Sequence, residues 1–412
     1  MKSTIRTLVH PRTWSIPIVF LIGLAVLFPA IYLSATVDPQ ENLADLPIGL
    51  VVEEQSPATG ASAASAVAEA IEGGAGTELA IERMTAAELA DRMSNDSIAG
   101  AVVIGADFDQ SIASLLPGAT TVTVPSVTIV TNAGDGGLSN GLVVGNLTPL
   151  LKGIASGLGQ QLSAGPAPLP AANQALLETP FTVASAAYAA LPAHSGLGTS
   201  AFYYALVLVL LGFIGAAMIS PLVDSALGFA PSEVGPIVQR RPYVGASRVQ
   251  TLLGKFGIML AGAPIAALGA QLVATGPVGI SVSHPVLMWL FSTATIMAIG
   301  TSALTVFAIF GNGVGALANT MFFIALSMTS SGGTVPLEAT PPFFRWLSEF
   351  EPFRPIVDGI RALLYFDGNP AAGLADAWVR VGIGGAIGIL LGLAVSALYG
   401  RVPRFSRHPV TA

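Results

Sequence analysis

Ser15-Ile16-Pro17-Ile18-Val19-Phe20-Leu21-Ile22-Gly23-Leu24-Ala25-Val26-Leu27-Phe28-Pro29-Ala30-Ile31-Tyr32-Leu33 is an unbroken uncharged run close to the start of the chain. A bilayer core takes about 20 apolar residues per helix, so the run reads as a membrane span. Five more spans crowd the second half: Ala201 to Val223, Gly254 to Ala274, Pro285 to Phe310, Gly311 to Met328 and Ala377 to Tyr399. The fifth carries Asn312 and Asn319 and follows the fourth almost without a break, so a tight turn is expected at Phe310 to Gly313, eased by Gly311 and Gly313. The expected fold class is an α-helical membrane protein with six transmembrane helices, one plus five, and a large extracytoplasmic α/β domain between helices one and two.

Charged residues make up 10% of the chain and the mean hydropathy is +0.71. Soluble domains carry about 25% charge, so water alone would not hold this protein in solution. The positions of the cations orient it, because short cytoplasmic loops retain Lys and Arg. Lys2, Arg6 and Arg12 precede the first span, Arg240, Arg241, Arg248 and Lys255 follow the second, and Arg401, Arg404 and Arg407 follow the last. Residues 36 to 200 hold most of the acids against only Arg83, Arg92 and Lys152. The expected layout is a cytoplasmic N-terminus over 1–14, the first span over 15–35 and an extracytoplasmic domain over 36–200. A five-helix membrane domain over 201–400 follows, with a cytoplasmic loop at 224–253 and an outer loop at 329–376, then a cytoplasmic tail over 401–412. The expected localisation is the plasma membrane, multi-pass, with both termini inside.

The net charge of −7 resides mostly in the outer domain and argues against nucleic acid, which needs a basic face. Zero cysteines exclude disulfides and thiolate ligands. A cleaved signal peptide is the competing reading of the first span, since Leu33-Ser34-Ala35 resembles a cleavage site. The run exceeds the 7–15 residues of a signal core, which favours an uncleaved anchor.

From Leu46 the chain alternates strand and helix patterns. Strands are expected at Leu46–Val52, Glu78–Ile81, Ala99–Ile104 and Thr121–Thr131, after which the sheet is complete. Helices are expected at Ala61–Ile71, at Ala86–Met93 behind the capping pair Thr85 and Glu88, and at Gln110–Leu116. Leu138, Leu142, Leu147, Leu150, Leu151 and Ile154 line one face of a longer helix and are read as internal packing. Pro166, Pro168 and Pro170 then interrupt the chain, before a short helix at Ala171–Leu177.

The run Leu46-Pro47-Ile48-Gly49-Leu50-Val51-Val52-Glu53-Glu54 resembles the start of the outer domain in the YhgE/Pip (phage infection protein) family. The strand ending Gly105-Ala106-Asp107-Phe108 is similar to that family's "valine, isoleucine, proline, Asp-Phe-Ser" turn, with Gly105 and Asp109 departing from it. Ser195-Gly196-Leu197-Gly198-Thr199 is similar to its approach to the second span. Ser330-Ser331-Gly332-Gly333-Thr334-Val335-Pro336, followed by Pro341-Pro342-Phe343-Phe344, Pro352 and Gly359-Ile360-Arg361, resembles the outer loop before the last helix of ABC-2 type exporter permeases. The family's long coiled-coil insert is here reduced to about Leu138 to Leu177.

The resemblance implies an ABC-2 type permease that exports a hydrophobic or amphipathic envelope molecule. A separate ABC ATPase would supply ATP, since the chain has no cofactor motif of its own: Gly254-Lys255 is followed by Phe256. It also implies a coupling helix in the loop Asp224–Gln250, where Arg240, Arg241 and Arg248 are the docking candidates. Read from the residues alone, Arg240 and Arg241 individually are expected to enforce topology and touch anionic lipid. In the outer loop Arg354, Asp358 and Arg361 share one helical face opposite Ile356, Ile360, Leu363 and Leu364. That helix is expected at the outer interface, with Trp346 and Tyr365 as belt residues. The resemblance implies that it caps the outer mouth of the translocation path together with Gly332, Gly333 and Pro336. The alternative is an interfacial helix that merely closes the bundle. Gly384, Gly388 and Gly392 permit close helix approach, within the bundle or across a homodimer. The first, second, fourth, fifth and sixth spans hold no Asp, Glu, Lys, Arg or His except near their ends, which disfavours ion-coupled transport. Scattered His10, His194, His284 and His408 support neither a catalytic triad nor a metal site, so no enzyme is expected. The alternative function is a non-transporting envelope scaffold, secretion accessory or phage-receptor-like protein.

Overall fold

The computed structural model describes residues 10–53, 62–116, 121–164 and 175–405. The first helix, α1 (Pro11–Thr36), leaves Ile18, Val19, Phe20, Leu21 and Ile22 exposed. Such a surface is unfavourable in water by roughly 25 cal/mol per Å² and neutral against acyl chains. The last turns of α1 pack on protein, with Ile31 and Ala35 against Ala325 and Phe344.

An α/β domain follows, built from β1 (Leu46–Val52), α2 (Ala63–Gly74), β2 (Leu79–Arg83), α3 (Ala86–Ser94), β3 (Gly100–Ile104), α4 (Phe108–Ser114), β4 (Ser126–Thr131), α5 (Gly137–Ser163) and β5 (Thr182–Ala187). The sheet order is β2-β1-β3-β4-β5. β1 runs parallel to β2 and β3, β3 is antiparallel to β4, and β4 is parallel to β5. Strand alternation sorts the faces. Ile48, Leu50, Val102 and Ile104 turn towards α2, α4 and α5, whereas Val51 and Ala101 turn towards Leu89 and Met93 of α3. Thr85 and Glu88 form the capping box that opens α3. Leu142, Leu147 and Leu151 are buried in the larger core, so the leucine stripe of α5 packs within the domain.

β5 corrects the expectation that the sheet ends at Thr131. Its sequence Thr-Val-Ala-Ser-Ala-Ala has one large apolar side chain and an almost fully exposed burial pattern. An edge strand of that kind is made by its ladder to β4 and leaves no period-two signal. The prolines at 166, 168 and 170, and residues 171–174 of the expected short helix, lie outside the described residues, as do Lys2, Arg6, Glu54, Arg407 and His408.

Six helices among the described residues are long and apolar enough to cross a membrane. They are not the expected six one for one. α5 qualifies by length and composition, yet it is seated on the sheet. Pro285–Thr329 counts as a single helix of 45 residues and breaks in two. The break is Gly311, at φ 78 and ψ 172, a region essentially restricted to glycine. Beyond it the chain doubles back, because the Asn319 amide donates to the Ala303 carbonyl at 3.2 Å and Gly315 lies against Phe307. The bundle therefore contains α6 (Ser200–Ala226), α7 (Arg248–Thr275), the two arms of α8 (Pro285–Asn319, its returning arm prolonged to 329) and α11 (Ala375–Arg401). Two short helices, α9 (Pro342–Leu347) and α10 (Phe353–Tyr365), join α8 to α11.

Candidate functional site

Arg354, Asp358 and Arg361 do share one face of α10, with Arg354 and Asp358 3.8 Å apart. The helix does not lie on an open interface, however. Ile356, Val357, Ile360 and Leu363 are buried in the bundle core, and the α/β domain covers the charged face. Arg361 is buried. Its Nη2 donates to the carbonyls of Asp135 at 2.9 Å and Gly332 at 3.0 Å, while Nη1 is 3.8 Å from the Asp135 carboxylate. Gly332 at φ 68 presents its carbonyl to that guanidinium. Asp96 completes the group: the Asn132 amide donates to it at 2.9 Å, and burial and the neighbouring Asp135 carboxyl both raise its proton affinity.

A cavity of about 310 Å³ opens at this joint, lined by Asp96, Asp135, Glu338, Arg354, Asp358 and Arg361, with Pro336 on its wall. Burial pushes the Asp96 carboxyl well above the usual range, reinforced by Asp135. Burial also raises Asp135, against the pull of Arg361, and Glu338. Asp358 keeps 33% of its side-chain surface open to the cavity. Its depth still pushes it up to about 6, opposed by Arg361 and Arg354. Glu351 is pushed by burial up to about 8, although its carboxyl accepts the N–H groups of Phe353 at 2.5 Å and Arg354 at 2.6 Å where α10 begins. Among the described residues no group of three or more His, Cys, Asp or Glu is placed to hold a metal ion.

Further ties hold the domain on the bundle. The Tyr365 hydroxyl donates to the Ser195 carbonyl and accepts from the Ala201 N–H, each at 3.2 Å. Tyr365 is thus an internal strut and not a belt residue. Trp346, 58% exposed, packs its ring against exposed Phe343 on α9 and exposed Phe350 just beyond it, a surface suited to a membrane–water boundary. Gly333 lies against Phe202, and Val335 and Ala339 enter the α/β core.

The opposite end of the bundle carries the segment between α6 and α7. The coupling helix implied by the resemblance is not formed there. The strands β6 (Ser232–Val234) and β7 (Ile237–Gln239) make a hairpin around Gly235-Pro236, with Gly235 at φ 57. Arg240 and Arg241 follow it, exposed. Arg248 belongs to α7, opened by the capping box of Ser247 and Gln250. It donates to the Phe405 carbonyl at 2.7 and 3.2 Å and stands 5.6 Å over the Tyr399 ring.

Sequence reasoning passed over Lys255 as one more topology-setting cation. It is 4% exposed and pairs with Asp224 at 3.0 Å. The usable signal was a lysine two turns inside an apolar helix, with an acid near the end of the preceding one. On α11, Gly388 lies against Ser302, whose Cα would be 3.0 Å from an added Cβ, and the Thr305 hydroxyl donates to the Gly388 carbonyl at 2.8 Å. Gly392 meets Thr305 and Leu252. Gly384 faces open space, and Gly385 takes its place against Ala298.

A helical bundle with a broken hairpin, a polar cap and an α/β domain inserted after the first span defines a multi-pass membrane protein. Residues 13–398 match the ABC-2 family transporter protein family, and the chain belongs to that family as a membrane component. No curated protein and no solved structure gives a match to the chain. The family matched is the broad one, wider than the YhgE/Pip group.

Proposed function

We propose that this chain is the permease subunit of an ABC-2 exporter that moves a hydrophobic or amphipathic envelope molecule with energy from a separate ATPase. The observation that carries the reading is the family match over 13–398, which spans the bundle and the inserted domain together. In this proposal both termini and the 224–253 loop face the cytoplasm, residues 36–200 lie outside, and Arg240 and Arg241 meet the ATPase. Their exposure at the end of the bundle opposite the α/β domain supports that role. The similarity at Leu46 to Glu54 supports the narrower YhgE/Pip assignment. A homodimer is part of the reading. α8 already occupies the Gly388 and Gly392 face, so the second copy would meet another.

Affinity purification in mild detergent tests the proposal. A nucleotide-binding subunit should co-purify with the wild-type chain and be lost from Arg240→Glu/Arg241→Glu. Recovery of an envelope protein bound through the α/β domain, with no ATPase, overturns export in favour of the scaffold reading.

A further inference from the structure

Lys255 lies about two turns into α7, buried among the apolar helices, and its Nζ is 3.0 Å from Asp224 Oδ1 and donates to Ser220 Oγ at 3.0 Å. The Ser220 hydroxyl in turn donates to Asn312 Oδ1 at 2.8 Å. Asn312 is the first residue after the break at Gly311. A single line of polar contacts thus runs from α7, through the last two turns of α6, to the tip of the α8 hairpin. α6 and α7 are also the two stalks of the segment that carries Arg240 and Arg241.

Three features separate this line from ordinary helix glue. Losing one member of a buried ion pair strands the other charge in a low dielectric, so the two stalks are held strictly together. The tip has room on its outer side, since an added Cβ at Gly311 or Gly313 would meet nothing within 4 Å. A cavity of about 380 Å³ lined by Asp224, Phe310, Gly311 and Asn312 lies beside it. The tip is therefore loosely packed, jointed at a glycine, and tethered to the stalks through Asn312.

We propose that Lys255, with Asp224, Ser220 and Asn312, forms a coupling clamp that passes displacement of the 227–247 segment to the hairpin tip and so to the two arms of α8. Lys255 is a positioning residue here and touches no cargo. The inference rests on the reading that an ATPase docks on that segment, and it adds the route by which docking reaches the bundle.

The chain has no cysteine, so spin labels at Ile237→Cys and Val314→Cys, both exposed positions, report the distance from segment to tip in the purified chain in nanodiscs. Lys255→Met should broaden that distribution, and Lys255→Asp with Asp224→Lys should narrow it again. Should Lys255→Met not fold, Asn312→Ala leaves the ion pair in place, removes only the tether, and should broaden it too. In the complex, Lys255→Met should still co-purify with the ATPase while ATP hydrolysis changes by about fivefold, recovered in the exchanged pair. An unchanged distance distribution in Lys255→Met or Asn312→Ala overturns the clamp. So does an exchanged pair as broad as the single variant, which would mark plain packing. If the wild-type chain brings down no ATPase, the exporter reading fails, and the distance measurement still decides the clamp.

Discussion

The two ends of the bundle hold their charge in opposite ways. At the α/β end, buried Arg361 faces Asp96, Asp135 and Asp358 beside an open cavity, so acid is in excess and water is near. At the other end Lys255 meets Asp224, both largely buried, beside the Ser220 hydroxyl and the Asn312 amide and next to a cavity that Asp224 borders. An excess of carboxylates next to water makes a joint whose strength depends on protons. A buried lysine–aspartate pair bridging two helices makes a joint that fixes register.

The largest effect that would break this comparison is at the α/β end. Arg361→Met leaves three acids without their central cation and should cost about 3 kcal/mol or more. Thermal unfolding in detergent should show it, with early proteolysis at residues 188–199, where the chain passes from β5 to α6. A melt equal to wild type would mean that Tyr365 and the 335–339 insertion hold the domain alone. Next is the hairpin tip. Gly311→Ala meets no neighbour but forces alanine to φ 78, at about 2 kcal/mol. Full retention of stability would show that the arms tolerate another turn.

The pH response is smaller and separates the ends. The folded state keeps the Asp358 proton up to about 6, while the unfolded chain loses it near 3.9. Its contribution is therefore complete below about pH 4 and is lost as pH rises through 6. Asp96, Asp135 and Glu338 shift the same way. Lowering pH from 7.5 to 5 should stabilise the domain–bundle joint by on the order of 1 kcal/mol, once screening at the partly open Asp358 is discounted. Asp358→Asn should flatten that slope, and an Asp358→Asn profile as steep as wild type would remove Asp358 from the joint's titration. The smallest effect lies away from both ends. Thr85→Ala removes the α3 cap and should cost about 1 kcal/mol, seen as faster amide exchange in α3 with α6 and α7 unchanged.

Much of this was legible in the residues. The apolar runs, the Thr85–Glu88 cap, β1 and the glycine turn at 311 follow from local rules of hydropathy, capping and backbone freedom. β5 escaped because an exposed edge strand of small residues has no periodicity. The burial of α10 escaped for a different reason. Its amphipathic pattern was read correctly, but a charged face that meets water and one that meets Asp135 carry the same letters. Lys255 looked like Arg240 and Arg241 because charge counting records how many cations a loop has and not which way each points.

The sequence alone determined that this chain enters a membrane, how many apolar helices it brings, and that an α/β domain separates the first from the rest, since each depends on composition over a window. The tertiary structure decided that the domain is seated on α10, that Gly388 and Gly392 are filled from within, and that Lys255 reaches the hairpin tip. Those facts depend on which distant residues share a few ångströms, and burial, charge pairing and close approach are properties of neighbours that no local stretch of sequence contains.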